Sequence, residues 1–181
     1  MKSQDQQILI LVDKKDNPLG FKERKECHQG KGVKHRAFMT FLINKKSQLL
    51  LTQRSTFKKL WPGFWDASVV SHVLKGEDYK KAAVRRSKEE LNLKINEGEL
   101  KSIGGFSYQS EYENSGSENE YCQVFVAKLN KPIKINEEEI SKMEYVGQRE
   151  LTSELSKPTE KFTPWFKIAF RLYLGRASKF K

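Results

Sequence analysis

Cysteine is nearly absent from this chain. Only Cys27 and Cys122 occur among 181 residues, too few for a disulfide framework, so reduced thiols and a cytoplasmic setting are expected. Long apolar runs are missing too. The longest near the start, residues 8–12, is far shorter than a signal core or a membrane span, so neither export nor a membrane partner is expected. No repeat, low-complexity tract or Gly/Ser/Pro linker interrupts the chain, and a single domain over residues 1–181 is expected. Acidic residues are in the minority: 34 Lys and Arg stand against 23 Asp and Glu, a net charge of +11. Such a balance favours an anionic partner, whether nucleic acid, an anionic surface or a phosphorylated metabolite.

What is present is enough for a packed core: 37% hydrophobic and 11% aromatic residues argue against disorder. Residues 8–12 read as a strand ended by the turn-rich stretch 13–18, and 36–43 and 48–52 as a hairpin joined through Asn44-Lys45-Lys46-Ser47. Residues 67–73 form a short strand rich in β-branched side chains. A helix follows over 78–91, with Glu77 and Asp78 favouring its start and Asn92 as the residue just past its end. Strands over 102–108 and 121–129 flank a polar loop at 109–117. Thr163-Pro164 then reads as an N-cap and first-turn proline, ahead of the stripe Trp165, Ala169, Leu172, Tyr173. The pattern predicts a mixed α/β chain of the α+β type.

The chemistry-bearing residues are few and scattered. Three histidines, His28, His35 and His72, lie in separate segments; taken singly, each is more often structural or exposed than a ligand. Glu118-Asn119-Glu120 adds two carboxylates that share a face in extended backbone. Such a pair is commonly a solvated edge, but with three imidazoles it makes an N/O set suited to Zn, Mn or a similar ion. On the helix, Arg86 and Glu90 are i,i+4, as are Arg85 and Glu89. Surface salt-bridging is the plain reading of both pairs. The sharper one is a carboxylate for Mg²⁺ beside an arginine that holds a phosphate oxygen. Lys58-Lys59, Arg85-Arg86 and the basic cluster at 22–25 flank these candidates, whereas Glu137-Glu138-Glu139 reads as a separate acidic block.

Trp61-Pro62-Gly63-Phe64-Trp65, and again Glu118-Asn119-Glu120-Tyr121-Cys122, resemble the type 1 isopentenyl-diphosphate isomerases, and the likeness runs from the strand at Ile8 to Trp165. It implies the Nudix fold, a mixed sheet flanked by helices. It also implies one divalent metal, Mn²⁺ or Zn²⁺, held by His28, His35, His72, Glu118 and Glu120, and a Mg²⁺ at Glu90 bridging to a small diphosphate substrate. Arg24, Arg54, Lys58 and Arg86 match diphosphate contacts, and Tyr108 and Trp165 match aromatic residues of the isoprenoid pocket. A worn Nudix box is also present: Glu77, Arg85, Glu89 and Glu90 fit it, while Ser71, Arg86 and Asn92 replace a glycine, a glutamate and a glycine.

The departure lies at Val70, two residues before His72, where the family carries its catalytic cysteine. In the family that cysteine and a glutamate, here Glu120, divide the addition and removal of a proton, with Tyr108 assisting and Trp165 facing the developing cation. Valine has no proton to give, and one acid–base group is worth about 10²–10⁴-fold. Three functions are therefore expected in order: an isomerase-like enzyme on an isoprenyl diphosphate, a Nudix-type diphosphate hydrolase, and last a non-catalytic module binding a diphosphate or nucleic acid. The basic, apolar-interleaved segment 167–181 is the main support for that module. Oligomeric state has no signature in the sequence.

Overall fold

The stretch from His35 to Ile43 forms the central strand, and its composition explains why: it is buried at nearly every position and is stable only with both faces covered. The structure, a computed structural model, describes residues 4–176. Among these residues β1 (Ile8–Val12), β2 (Pro18–Glu23), β3 (His35–Ile43), β4 (Gln48–Arg54), β5 (Trp65–Asp66), β6 (Val69–His72), β7 (Lys101–Tyr112), β8 (Gly116–Lys128) and β9 (Ile140–Gly147) form one nine-stranded mixed sheet. The helices are α1 (Arg24–Cys27), α2 (Tyr79–Leu91), α3 (Gln148–Leu155) and α4 (Pro164–Leu174). None of them is long and apolar enough to cross a membrane.

Strand alternation sorts β3 between two cores. Ala37, Met39 and Phe41 face α4, which buries Trp165, Phe166, Ala169, Phe170 and Tyr173. Phe38 and Leu42 face α2, packed through Ala82, Ala83 and Leu91. Each large apolar side chain so buried contributes about 1.5–3 kcal/mol. On its two flanks β3 pairs antiparallel with β6, Ala37 opposite His72, and parallel with β8, His35 opposite Glu120. The antiparallel β7–β8 hairpin extends this register and sets Tyr108 opposite Glu120. The first two pairings bring the histidine and glutamate strands together, and the third adds Tyr108.

Several local expectations are met. Asp78 caps α2 by accepting from the Lys81 N–H at 2.9 Å, and Asn92 ends it in the left-handed conformation at φ 48°. Asn44 Oδ1 accepts from the amides of Lys46 and Gln48, holding the first hairpin turn. Helix α4 begins at Pro164, but Thr163 makes no capping hydrogen bond; its amide donates instead to the Trp65 carbonyl at 3.0 Å. Corrections fall where polar residues line a ladder. The loop expected over 109–117 shrinks to a turn at 113–115: β7 runs to Tyr112 and β8 starts at Gly116. Strands β2 and β9 and helices α1 and α3 escaped the sequence reading, because partly exposed elements such as β9 show little apolar alternation. The segment 167–181 also reads differently: its apolar face within α4 packs into the core, and residues 177–181 lie outside the described part.

Candidate active site and metal centre

His28, the residue at the end of α1, is turned inward by its own backbone: its Nδ1 lies 2.7 Å from the Arg24 carbonyl. His35 is held likewise by the Val33 carbonyl, at 2.7 Å. Both rings therefore present Nε2 to the same point, with that of His72. The three ring centroids are 4.9–5.0 Å apart. Glu118 Oε2 stands 2.8 Å from His28 Nε2, 3.6 Å from His72 Nε2 and 3.9 Å from His35 Nε2. One ligand atom from each of these four residues lies within 4.8 Å of the others. Glu120 Oε1 adds contacts of 3.1 Å to His72 and 3.5 Å to His35.

The loop bearing His28 is fastened to the strand bearing the glutamates. Ser117 donates from its amide to the His28 carbonyl and from its hydroxyl to the Gly30 carbonyl, at 3.0 and 2.6 Å. Asn119 donates to the Gly32 carbonyl at 3.1 Å. Gly116 makes this approach possible: it sits at φ 137°, and a Cβ there would meet the His28 carbonyl oxygen at 2.6 Å.

Burial sets the protonation of the cluster. It pulls His72 down, against the opposing hydrogen bonds and charges of Glu118 and Glu120, whereas His28, subject to the same burial, is raised overall by the charge and hydrogen bond of Glu118. Burial would raise Glu118 and Glu120, but the imidazoles outweigh it and hold both carboxylates below the usual range. His35 Nε2 and Glu118 Oε2 are nevertheless buried with no aligned hydrogen-bond partner. Orphaned polar atoms in a set of imidazoles and carboxylates are what a divalent cation satisfies. Tyr108 donates to Glu120 Oε2 at 2.5 Å, and burial followed by the Glu120 charge drives its phenol well above its ordinary range, so it remains a proton donor.

A narrow chamber of about 30 Å³ opens above these residues, lined by Val70, His72, Tyr108, Glu118, Glu120 and Trp165 together with Arg24, Arg54, Lys58 and Arg86. A cavity of about 840 Å³, lined by His28, Lys25, Lys31 and the exposed Phe57, shares Arg24, Arg54, Lys58 and Glu118 with it. Val70 is on the chamber wall because it shares a face with His72 two residues on. Trp165 is wedged between Trp61 and Tyr108, with centroids at 4.8 and 5.4 Å.

The basic residues are engaged within the protein. Arg54 donates to the carbonyls of Trp61 and Leu60 at 3.0 and 2.8 Å. Arg86 forks onto Glu90 Oε1 at 2.7 Å and Glu139 Oε2 at 2.9 Å, and Lys58 meets the same Glu139 oxygen. Glu90 is not on the chamber wall; it lies behind Arg86 and is raised by burial despite the charges of Arg86 and Lys58. Arg85 closes the loop before α2 through Glu77, at 2.6 Å.

Two residues of the site were missed in the sequence. Glu139 does not belong to a separate acidic block: it is 7% exposed, and Lys58 and Arg86 overcome the cost of burial to hold it at about 2. The backbone turn from Asn136 aims it inward while Glu138 stays exposed, and only its place beside the buried Ile140 hinted at this. Asp66 is 2% exposed and accepts from the Trp165 indole at 2.7 Å. Its signal was an isolated acid in an otherwise apolar run.

Comparison with known proteins fits this geometry. Residues 33–166 match the model of the NUDIX domain. The chain is 36% identical over 159 residues to isopentenyl-diphosphate Delta-isomerase 1 of Photorhabdus laumondii, covering 88% of this chain and 90% of that one. It is 35% identical over 168 residues to the isopentenyl-diphosphate Delta-isomerase of Haloarcula marismortui, covering 91% and 90%. Among solved structures, DR0079 from Deinococcus radiodurans superposes with a TM-score of 0.72 at 25% identity, over 92% of this chain and 99% of that one. The MutT protein from Methanosarcina mazei Go1 shares the fold with a TM-score of 0.64, at 18% identity over 81% and 96%. The sheet with helices on both faces is thus the expected Nudix fold.

Proposed function

Because the chain belongs to the isopentenyl-diphosphate isomerase family of NUDIX-domain proteins, we propose that it is a divalent-metal-dependent enzyme that moves the double bond of a small isoprenyl diphosphate. The observation that carries this reading is the convergence, in one buried chamber, of orphaned His and Glu donor atoms, the Tyr108–Glu120 pair and four basic residues.

His28, His35, His72, Glu118 and Glu120 would hold a metal of the Zn²⁺ or Mn²⁺ kind, and Glu90, off the chamber wall behind Arg86, would serve a Mg²⁺ beside the substrate only once Arg86 turned from it to the diphosphate. When bound, such ions neutralise diphosphate charge and fix the protonation of coordinating groups. The protein's own residues divide the remaining work. Arg24, Arg54, Lys58 and Arg86 offer positive charge to the diphosphate. Glu120, held ionised and hydrogen-bonded by the Tyr108 hydroxyl, takes or returns the proton on one face of the carbon skeleton. Trp165 and Tyr108 close the chamber and keep water from the reacting carbons.

Val70 favours a second reading. An isomerisation needs a proton exchanged on the opposite face too, and an aliphatic side chain on the chamber wall supplies none. Hydrolysis of the diphosphate needs a carboxylate such as Glu120 to take the proton of an attacking water, with the basic residues holding the phosphates, and needs no second proton exchange at carbon. Incubation with isopentenyl diphosphate and Mg²⁺, followed by product analysis, decides between them. Dimethylallyl diphosphate is the expected product; inorganic phosphate or pyrophosphate in its place would select the hydrolase.

A further inference from the structure

Asp66 is a buried carboxylate that the chemistry above does not use. Its Oδ1 accepts from the Ala67 amide at 2.8 Å, and its Oδ2 accepts from the Trp165 indole Nε1–H at 2.7 Å. Arg54 Nη1 is 4.0 Å from that same oxygen, and the Arg54 guanidinium carbon is 5.7 Å from the centroid of the Trp165 ring. Carboxylate, indole and guanidinium therefore form a closed triangle, with the anion on the edge of the ring and a cation over its face.

The backbone holds two corners of the triangle together. The Trp65 amide donates to the Lys161 carbonyl at 2.8 Å and the Thr163 amide to the Trp65 carbonyl at 3.0 Å, which stitches β5 to the start of α4. Trp61 and Tyr108 pack the indole on its other sides but do not select which edge points where. The Asp66 hydrogen bond does. A carboxylate that accepts from an indole N–H also pushes electron density into the ring, so the ring face attracts a cation more strongly. Burying an acid is costly unless it is so engaged.

We infer that Asp66 is a positioning residue that locks the Trp165 indole and makes its π face a binding site for positive charge. The charge it would meet is the one that develops on the carbon skeleton when a proton is added. The inference rests on the proposed chamber role of Trp165, and its test is separable from the test of isomerisation.

Two diphosphates of similar length serve as probes: isopentenyl diphosphate, whose tail is neutral, and 2-(dimethylamino)ethyl diphosphate, whose tertiary amine is protonated and positively charged at neutral pH. Their Kd values are measured for the parent, Asp66→Asn and Asp66→Leu. The Trp165 indole N–H resonance is assigned with Trp165→Phe. In Asp66→Asn the amide oxygen still accepts from the indole, so the fold persists. The preference for the charged ligand should drop roughly threefold to tenfold, the scale of a desolvated cation–π contact. The indole resonance should move upfield. Asp66→Leu should lose the preference altogether; if it fails to fold, the asparagine variant carries the test. An unchanged preference and an unmoved resonance in Asp66→Asn would overturn the inference. A parent that forms no isomer yet shows the preference sinks isomerisation and leaves the action of Asp66 on Trp165 standing.

Discussion

Arg86 sits between two buried carboxylates, Glu90 and Glu139, and its replacement by glutamine shows what that arrangement is worth. Its side chain is 6% exposed and binds Glu90, 7% exposed, and Glu139, also 7% exposed, through one nitrogen. The third partner, Glu89, is 43% exposed, and that contact contributes about 0–1 kcal/mol at most. Glutamine leaves Glu90 buried without its direct cation, while Glu139 keeps Lys58. Breaking a buried pair from one side costs about 3–5 kcal/mol. For a domain of this size that corresponds to a fall in Tm of roughly 6–20 °C. The control is the double variant Arg86→Met, Glu90→Leu, which removes both charges. Replacing a buried pair by apolar groups is often nearly neutral, so it should recover most of the single variant's loss. Urea unfolding of the parent, Arg86→Met, Glu90→Leu and the double variant gives the coupling directly. A single variant within about 1 kcal/mol of the parent, or a double variant that loses the sum of the separate effects, would show that the pair is solvent-relaxed and refute the reasoning.

Four further outcomes are expected. His72→Ala should purify with markedly less bound transition metal than the parent by elemental analysis; equal content would remove His72 from the metal site. Pyrophosphate titrated into the protein should bind more weakly without Mg²⁺ and in Glu90→Gln, and unchanged affinity in both would argue against a bridging ion. Val70→Cys is a small change in volume on a partly buried wall, and it should raise isomerisation by about 10²-fold or more, the scale of one acid–base group; a parent already as fast would mean that another group delivers the proton. Burial raises Asp66 from 3.8 to about 6, so the folded state holds its proton longer than the unfolded chain does. The penalty of ionising it is absent below pH 3.8, grows as pH rises, and is complete above about 6, where it amounts to about 3 kcal/mol. The stability difference between Asp66→Asn and the parent should grow in that direction across pH 4–7, and a flat difference in urea unfolding would count against it.

Much of the fold was legible because its signals are local. Asp78 and Asn92 bound α2, Asn44 makes the hairpin turn, and the apolar run of β3 can only be a covered strand. The site was legible in a different way. Spacing put Glu118 and Glu120 on one face, but nothing local could place His28, His35 and His72 around them. That depends on the pairing of β3 with β6 and β8, which are far apart in the chain; here the family resemblance did what local physics does not. Glu139 and Asp66 were missed for opposite reasons. Glu139 is one of three adjacent glutamates, and only the turn from Asn136 singles it out. Asp66 faces an indole from a distant helix, a contact no spacing rule describes. The half-exposed ladder of β9 carries too little alternation to be read as a strand.

The register that sets His35 beside Glu120 also has a consequence for the order in which this protein is made. The imidazoles all come from the first part of the chain, and both carboxylates come from β8, whose parallel pairing with β3 must close a long loop. Such pairings are among the slower events in folding, because closure entropy is lost before the contacts form. A nascent chain carrying all three histidines is thus still without the anionic half of the site. Only the docking of β8 completes it, so on the proposed metal-binding reading tight loading of an ion would report a late folding step, and a polypeptide released before β8 emerges would compete poorly for metal.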